Sequence, residues 1–343
     1  MPQLVTTDVY DRAGWGLNMR ATLAALLGLF LLILLAPSAA SESVRLTGSG
    51  ASFPYPIYST WFKTFSRAEA GVIVDYQAKG SGAGIRDFIN GTVDFAGSDA
   101  AMSDEELAQV PGGALMLPIT AGAIVVAFNL PGVSEPLRLS RQVYPLIFLG
   151  EISSWNDPRI AEANPTLQLP DLPITVVRRA DSSGTTYAFS NHMSAVSTTW
   201  RDGPGVGKTV VWPDSDKIVA APKNDGVAAT ILQTPGAIGY VELGYARYAK
   251  IPMAALENAA GAYVYPDLES GQSAISGAVL PDDLRIWIAD PQPQGAYPIV
   301  TFSWLLLSLR NDSPDKTAVL RSLVEYCISD GQLLADRMGY IPL

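Results

Sequence analysis

The chain has 343 residues, of which 48% are hydrophobic, enough for about two domains with packed cores. Its 23 basic and 33 acidic residues give a net charge of −10, which argues against nucleic acid or an anionic membrane surface as a partner. One cysteine, Cys327, and one histidine, His192, exclude an intrachain disulfide, a multi-thiolate metal site and a His-pair zinc site. We expect Cys327 to lie in the core, His192 to have a surface or packing role on a helix rather than a catalytic one, and no cofactor to be bound.

The first predicted element is an export signal that occupies residues 1–40. The uncharged apolar run Ala21–Ala36 leads into small residues, which is typical of a signal peptide cleaved before Ser41. The run is shorter than the roughly 20 residues of a spanning helix, although an uncleaved anchor stays an alternative. Met1 and Met19 are both candidate start residues. We expect an exported protein of the periplasm or cell envelope.

Short strand patterns then alternate with helical patterns. This alternation predicts an α/β fold with mostly parallel sheets, in which ligands bind at the carboxyl ends of the strands. We expect two lobes joined by crossing strands. The predicted strands are Val72–Tyr76, Val93–Ala96, Ile124–Phe128, Ile174–Val177 and Ile299–Leu309, and helical spacing occurs over Ile57–Phe65 and Ile85–Ile89.

Three segments combine glycine with hydroxyl side chains near predicted helix starts: Gly48–Pro54, Gly80–Gly84 and Arg178–Thr186. Free N–H groups and the dipole at a helix start favour an anion, and Arg179 adds a planar fork of donors. For any single segment, ordinary helix caps and turns are the better explanation. The presence of all three predicts one oxyanion site built from several loops.

Asp99 follows the predicted strand Val93–Ala96 and is an unexpected neighbour for an anion. An ionised carboxylate only accepts hydrogen bonds, so Asp99 suits an anion that carries a proton. Hydrogen phosphate has such a proton and fully ionised sulfate does not, so Asp99 would reject sulfate. The alternative is that Asp99 caps a helix starting at residues 100–102 or 104–106.

Other chemistry is poorly supported by the sequence. Gly205–Thr209 resembles the end of a nucleotide-binding P-loop, but position 202, where its first glycine should stand, holds Asp, and a strand or loop follows. No serine lies in a G-x-S-x-G motif, and no dense carboxylate cluster indicates a two-metal phosphatase. The segments therefore predict a site that holds an anion without attacking it.

With these motifs, the chain from about Leu46 onward resembles the phosphate-binding proteins of bacterial phosphate-specific ABC transporters. The resemblance implies a two-lobed type II periplasmic-binding-protein fold that closes over one phosphate, with lobe 1 at 44–124 plus 299–343 and lobe 2 at 125–298. The motifs that carry it are Gly50–Pro54, Gly80–Gly84, Val93–Asp99, Arg178–Thr186 and Pro235–Glu242.

The resemblance also implies roles for individual residues. Hydroxyls and N–H groups would bind phosphate, Arg179 would donate charge-assisted bonds, oriented by Asp181, and Asp99 would accept the phosphate proton. The implied phosphate-binding residues are Ala51, Ser52, Phe53, Ser81, Asp99, Arg179, Ser183, Gly184 and Thr185, with no catalytic and no metal-binding residue.

We accordingly expect a monomeric, non-enzymatic receptor whose partners are inorganic phosphate and a membrane permease. Three alternatives stay open. The chain is a receptor for another oxyanion such as sulfate or molybdate, an exported phosphatase on a similar scaffold, or a tethered sensor if the signal is not cleaved.

Overall fold

Strands and helices alternate along residues 43–133 and 136–343, the parts of the chain that the computed structural model describes. The predicted signal peptide, residues 1–40, lies outside these described residues. The strands are β1 (Val44–Gly50), β2 (Val72–Ala78), β3 (Phe95–Ser98), β4 (Ala114–Phe128), β5 (Arg138–Leu139), β6 (Thr175–Arg179), β7 (Ile218–Ala221), β8 (Ala237–Glu242), β9 (Ala255–Glu257), β10 (Tyr263–Val264) and β11 (Val300–Ser308).

Helices follow most strands, and none in the described ranges has the length and apolar character needed to span a bilayer. The helices are α1 (Tyr55–Ala68), α2 (Ser81–Ile89), α3 (Asp104–Leu107), α4 (Val143–Phe148), α5 (Pro158–Glu162), α6 (Gly184–Val196), α7 (Thr198–Asp202), α8 (Lys223–Gln233), α9 (Leu243–Ala249), α10 (Leu268–Ile275), α11 (Pro314–Ile328) and α12 (Gln332–Met338).

Eight strands form one mixed sheet in the order β2-β1-β3-β11-β4-β8-β6-β7, and β10-β9-β5 form a small second sheet. The pairs at both flanks of the large sheet are parallel, whereas β3-β11, β11-β4 and β4-β8 at its centre are antiparallel. The predicted α/β class is confirmed, and parallel pairing holds for the flanks rather than for the centre. The centre differs because β11 returns from the far end of the chain.

The long strand β4 connects the two halves of this sheet. It pairs with β11 from Ala114 to Ala123 and then with β8 from Ile124 to Phe128. Its residues from Ile119 onward are buried, since both faces of the sheet are covered by helices. The loops at the carboxyl ends of β1, β2 and β3 therefore face those that follow β6, β7 and β8 across the sheet centre.

The predicted elements differ from the observed ones mainly at their ends. β3 starts at Phe95, two residues late, because Asp94 instead accepts the Thr47 N–H at 2.7 Å. α2 starts at Ser81, four residues before Ile85, because Gly80 adopts φ 92° and turns the chain into the helix.

Helix α1 shows how the sequence pattern makes the core. Its buried residues recur at helical spacing and pack on the sheet, with Tyr58 and Phe62 ring centroids 5.2 Å apart. Cys327 is fully buried, as expected. His192 is buried on α6, where its Nε2 lies 2.8 Å from the Tyr144 hydroxyl, and burial lowers its pKa to about 4.

Candidate functional site

The three glycine and hydroxyl segments meet at the carboxyl ends of β1, β2 and β6, and each leads into a helix. Pro54 precedes α1, Ser81 is the first residue of α2, and Gly184 is the first residue of α6. Ser183 caps α6 by accepting the Thr186 N–H at 3.1 Å. The sequence motifs thus bring three helix N-termini, with their unpaired N–H groups, to one place.

The α2 and α6 segments touch each other. The Gly82 N–H donates to the Ser182 carbonyl at 3.0 Å. A Cβ at Gly184 would lie 2.6 Å from Ser81 Oγ and 2.7 Å from Asp99 Cβ, so a glycine is needed for this approach. We call Gly48–Pro54, Gly80–Gly84 and Asp99 the first wall of the site, and Arg178–Thr186 the second wall. The two walls are in direct contact and enclose the site between them. All nine predicted residues are buried here: Ala51, Ser52, Phe53, Ser81, Asp99, Arg179, Ser183, Gly184 and Thr185.

Arg179 ends β6 with its side chain 1% exposed. Its Nε and Nη2 donate to the two carboxylate oxygens of Asp181 at 2.9 and 2.5 Å, and its Nη1 donates to Thr185 Oγ1 at 3.1 Å. Burial alone would raise the pKa of Asp181, but the guanidinium overrides burial and the pKa is lowered. Asp181 thus fixes Arg179, and two of the five guanidinium N–H donors stay available.

Asp99 follows β3 and is 1% exposed. Its Oδ1 accepts from the Ser303 hydroxyl at 2.9 Å, and its carbonyl accepts from the Thr301 hydroxyl at 3.1 Å. Among the residues that the structure describes, its Oδ2 has only a long contact of 3.5 Å to Ser81 Oγ, so this oxygen can still accept a hydrogen bond from a proton donor. Burial raises the pKa of Asp99 to about 7, against the opposing effects of Ser303 and Arg179. The cap of α3 is Ser103, so Asp99 is not a helix cap.

Several buried backbone N–H groups of the three segments have no acceptor within the described residues. The N–H groups of Phe53, Gly184 and Thr185 donate no hydrogen bond within the described residues, although these residues are buried. Buried N–H groups are nearly always paired, so this cluster suits an anionic acceptor. By contrast, the N–H groups of Ala51 and Ser183 already donate to backbone carbonyls at 2.8 Å each.

Sequence reasoning missed Asn224, which is fully buried in the first turn of α8. Its amide donates to Ser52 Oγ at 3.1 Å and to Thr185 Oγ1 at 3.3 Å, and its oxygen accepts the Glu242 N–H at 3.0 Å. Asn224 therefore ties the first wall to the second. Its only sequence signal is an amide at a helix start after a strand, which is too common to single out.

The arrangement offers hydroxyls, N–H groups, one guanidinium and one proton-accepting carboxylate. Ser52 and Ser183 accept hydrogen bonds from amides, and Ser81 has only a long contact of 3.5 Å to the Asp99 carboxylate, so no close hydroxyl–base pair is formed by these three serines within the described residues. No group of three or more His, Cys, Asp or Glu side chains within the described ranges is placed to hold a metal ion.

Comparison with known proteins identifies the family. Residues 37–330 match the family model of the PBP superfamily domain. The phosphate-binding protein PstS of Xylella fastidiosa (strain Temecula1) is 39% identical over 307 residues, covering 88% of this chain and 82% of the relative. PstS of Pasteurella multocida (strain Pm70) is 37% identical over 306 residues, covering 88% and 87%. Both names are those of binding proteins rather than enzymes, in agreement with the predicted receptor.

Solved structures with a similar fold also include phosphate-binding proteins. A solved high-affinity periplasmic phosphate-binding protein (PfluDING), bound with phosphate, superposes with a TM-score of 0.73 over 88% of this chain and 91% of that one, at 23% identity. At this identity the likeness concerns the fold, and it confirms the predicted two-lobed architecture. The sequence matches over most of the chain show that this protein belongs to the PstS family of phosphate-binding proteins, within the PBP superfamily.

Proposed function

We propose that this chain is an exported receptor that encloses one inorganic phosphate and delivers it to the membrane permease of an ABC transporter. One observation carries the proposal: Asp99 Oδ2 lies free to accept a proton, opposite a helix start whose buried N–H groups are unpaired. A site with both features suits an anion that accepts many hydrogen bonds and donates one. Hydrogen phosphate is such an anion.

Each predicted residue has a role in this proposal. The hydroxyls of Ser52, Ser81 and Thr185 and the N–H groups of Phe53 and Gly184 donate to phosphate oxygens. Arg179 donates its two remaining N–H groups, and Asp99 accepts the phosphate proton. Ser183 caps α6 and donates its hydroxyl, and Ala51 lines the site while its own N–H bonds to Gly97.

Charge balance supports an oxyanion held by dipoles. Asp181 compensates the charge of Arg179, and the whole chain carries −10, so neither supplies a strong positive field. Backbone N–H groups at helix starts must then stabilise most of the phosphate charge. Such a site favours binding in an enclosed, specific pocket rather than on a charged surface.

We place the lobes at 44–124 plus 299–343 and at 125–298, with the boundary one residue after β4 changes partner from β11 at Ala123 to β8 at Ile124. Phosphate that contacts both lobes stabilises their closed arrangement through bonds that the open arrangement lacks. The closed form then docks on the permease as a monomer. The PstS names of the relatives support this place in transport.

Calorimetric titration of the exported protein with phosphate and with sulfate at pH 8 tests the proposal. We expect phosphate binding with one site per chain and much weaker sulfate binding. The Asp99→Asn variant, whose amide can donate a hydrogen bond to sulfate, should reduce the difference between the affinities for phosphate and for sulfate. Equal affinities of the wild type for both anions would refute the role of Asp99, and steady hydrolysis of a phosphomonoester would refute a pure receptor.

A further inference from the structure

Glu242 is a buried carboxyl group behind the proposed phosphate site, and the role of its side chain is not yet explained. It ends β8 and caps α9, where its Oε1 accepts the Gly244 N–H at 2.7 Å. The side chain is fully buried and forms no ion pair with a lysine or arginine of the described ranges. A buried carboxylate without a cation is costly, so the neutral acid is the favoured form.

The hydrogen bonds of Tyr340 indicate where the proton of that acid lies. The Tyr340 hydroxyl is 2.7 Å from the Phe53 carbonyl oxygen and 3.2 Å from Glu242 Oε2. A tyrosine hydroxyl has one proton, and a carbonyl can only accept. Since the shorter contact takes the Tyr340 proton, the contact with Glu242 is a hydrogen bond only if Glu242 donates.

The surroundings favour the same state. Burial, with a smaller contribution from the nearby Asp99 carboxylate, raises the pKa of Glu242 to about 8, against the opposing effect of the Gly244 and Tyr245 N–H groups. The titratable groups facing Glu242 are Tyr340 before the C-terminus, Tyr245 on α9 and Asp99 after β3. None of them is a cation that would favour the carboxylate.

Glu242 is also connected to the groups that face the ligand. Its N–H donates to Asn224 Oδ1, and the Asn224 amide donates to Ser52 Oγ. Its carboxyl group reaches the Phe53 carbonyl through Tyr340. Glu242 is thus linked to two adjacent phosphate-binding residues of the proposed function, to Ser52 through its main chain and to Phe53 through its carboxyl group.

We propose that Glu242 is a positioning residue that works as a neutral carboxylic acid, donating to Tyr340 so that Tyr340 holds the Phe53 carbonyl. This inference rests on the proposed phosphate site, because it assigns to Glu242 the orientation of the Phe53 N–H. Loss of the proton turns Glu242 into an acceptor that competes with Phe53 for the Tyr340 proton. Phosphate affinity then falls as Glu242 ionises, and the charge of a bound phosphate opposes that ionisation.

Calorimetry with inorganic phosphate from pH 6.5 to 9.5 tests this with Glu242→Gln. A glutamine accepts from Gly244 with its oxygen and donates to Tyr340 with its nitrogen, as the neutral acid does. We expect its affinity at pH 7 to equal that of the wild type within about twofold, and to exceed it about three- to tenfold at pH 9.5, the value of one buried hydrogen bond. Glu325→Gln, at an exposed position of α11, should reproduce the wild-type profile.

Two results would overturn the inference. One is that Glu242→Gln binds phosphate at pH 7 as weakly as Glu242→Ala does. This result would mean that the wild-type Glu242 is an ionised acceptor, which an amide cannot replace in this geometry. The other concerns infrared spectra of the ligand-free protein at pH 7. If Glu242→Gln removes no protonated carboxyl band from the wild-type spectrum, Glu242 is ionised in the wild type. The Asp99→Asn variant identifies the band of the second buried acid. A wild type that binds no phosphate would refute the proposed function, and the infrared measurement would still determine the Glu242 proton.

Discussion

The Lys208 ammonium and the Glu106 carboxylate form an ion pair, with Nζ and Oε1 2.5 Å apart and both side chains less than a quarter exposed. Lys208 belongs to Gly205–Thr209, the segment that resembles a P-loop, and Glu106 lies on α3. The lysine that a nucleotide site would use for phosphate therefore pairs with a carboxylate. In the proposed division, Glu106 belongs to lobe 1 and Lys208 to lobe 2, so this ion pair links the two lobes across the cleft.

Removing the ion pair should weaken phosphate binding by favouring the open arrangement. We expect Glu106→Gln and Lys208→Met each to reduce affinity about two- to fivefold, the value of a partly exposed pair. Calorimetry on both single variants and the double variant gives the coupling between them. The exposed pair of Lys217 and Asp216, 3.8 Å apart, provides the control Lys217→Met, which should bind as the wild type does. Additive effects of the two single changes would show that the pair plays no part in closure.

Gly184→Ala should obstruct closure sterically. The added methyl group would press on Ser81 Oγ and on Asp99 Cβ, which overpacks the contact between the walls by about 1–3 kcal/mol. We expect phosphate affinity to fall about ten- to a hundredfold, with little change in the melting temperature without phosphate, because opening relieves the clash. Gly277→Ala, where a Cβ meets nothing within 4 Å, is the matched control. Unchanged binding by Gly184→Ala would contradict the contact.

Asn224→Ala should destabilise the protein as well as weaken binding. It leaves the Glu242 N–H without its acceptor in a buried place. The hydroxyls of Ser52 and Thr185 each lose one of two donors and keep the Asn224 N–H and Arg179 Nη1, respectively. The expected loss in unfolding free energy is about 1–3 kcal/mol, measured by urea denaturation without phosphate. Asn90→Ala at the exposed end of α2 should change it little. An Asn224 variant as stable as the wild type would show that water replaces the amide.

Discrimination against sulfate should depend on pH. Burial raises the pKa of Asp99 to about 7, so at lower pH the neutral acid gains a proton that it can donate to sulfate. We expect sulfate to compete with phosphate more strongly at pH 5.5 than at pH 8. Competition calorimetry at both values checks this. In the Asp99→Asn variant the amide donates at every pH, so the pH dependence of sulfate competition should vanish. If that pH dependence persists in the variant, a group other than Asp99 causes it.

Stability without phosphate should fall as the pH rises from 6.5 to 8. The folded state keeps the proton of Asp99 to about pH 7 and that of Glu242 to about pH 8, whereas an unfolded chain releases both near pH 4. The folded state therefore binds more protons, and the free energy of unfolding decreases with pH. His192, whose pKa is lowered to about 4, acts oppositely only below about pH 6.5. Urea denaturation at both values should show a smaller fall for Glu242→Gln.

Local patterns sufficed to predict buried residues that the structure brings together at the candidate site. A glycine, a hydroxyl and a helix start are readable within a few positions, so Ser52, Ser81 and Gly184 could be found without a structure. The position of Asp99 after a strand was also readable. These residues lie together because the loops that follow β2, β3 and β6 contact one another, with Gly82 bonded to Ser182 and Gly184 packed on Ser81 and Asp99.

The residues that support the site could not be predicted in this way. Ser303 reaches Asp99 from a strand 204 residues later in the chain, and Tyr340 reaches Phe53 from 287 residues away. Their side chains are ordinary serine and tyrosine in apolar surroundings, with no local signal. Only the sheet order, with β11 between β3 and β4, brings them to the site.

That sheet order has a consequence for how the protein is made. β3 and β4 leave a gap that only β11, Val300–Ser308, fills, so the first half of the sheet stays incomplete until nearly the whole chain has been synthesised. Pairing over such sequence distances is slow to form. The strands β2, β1 and β3 therefore cannot join β4 in one sheet before β11 has been made, whereas β4, β8, β6 and β7 need no segment after Glu242 for their pairing.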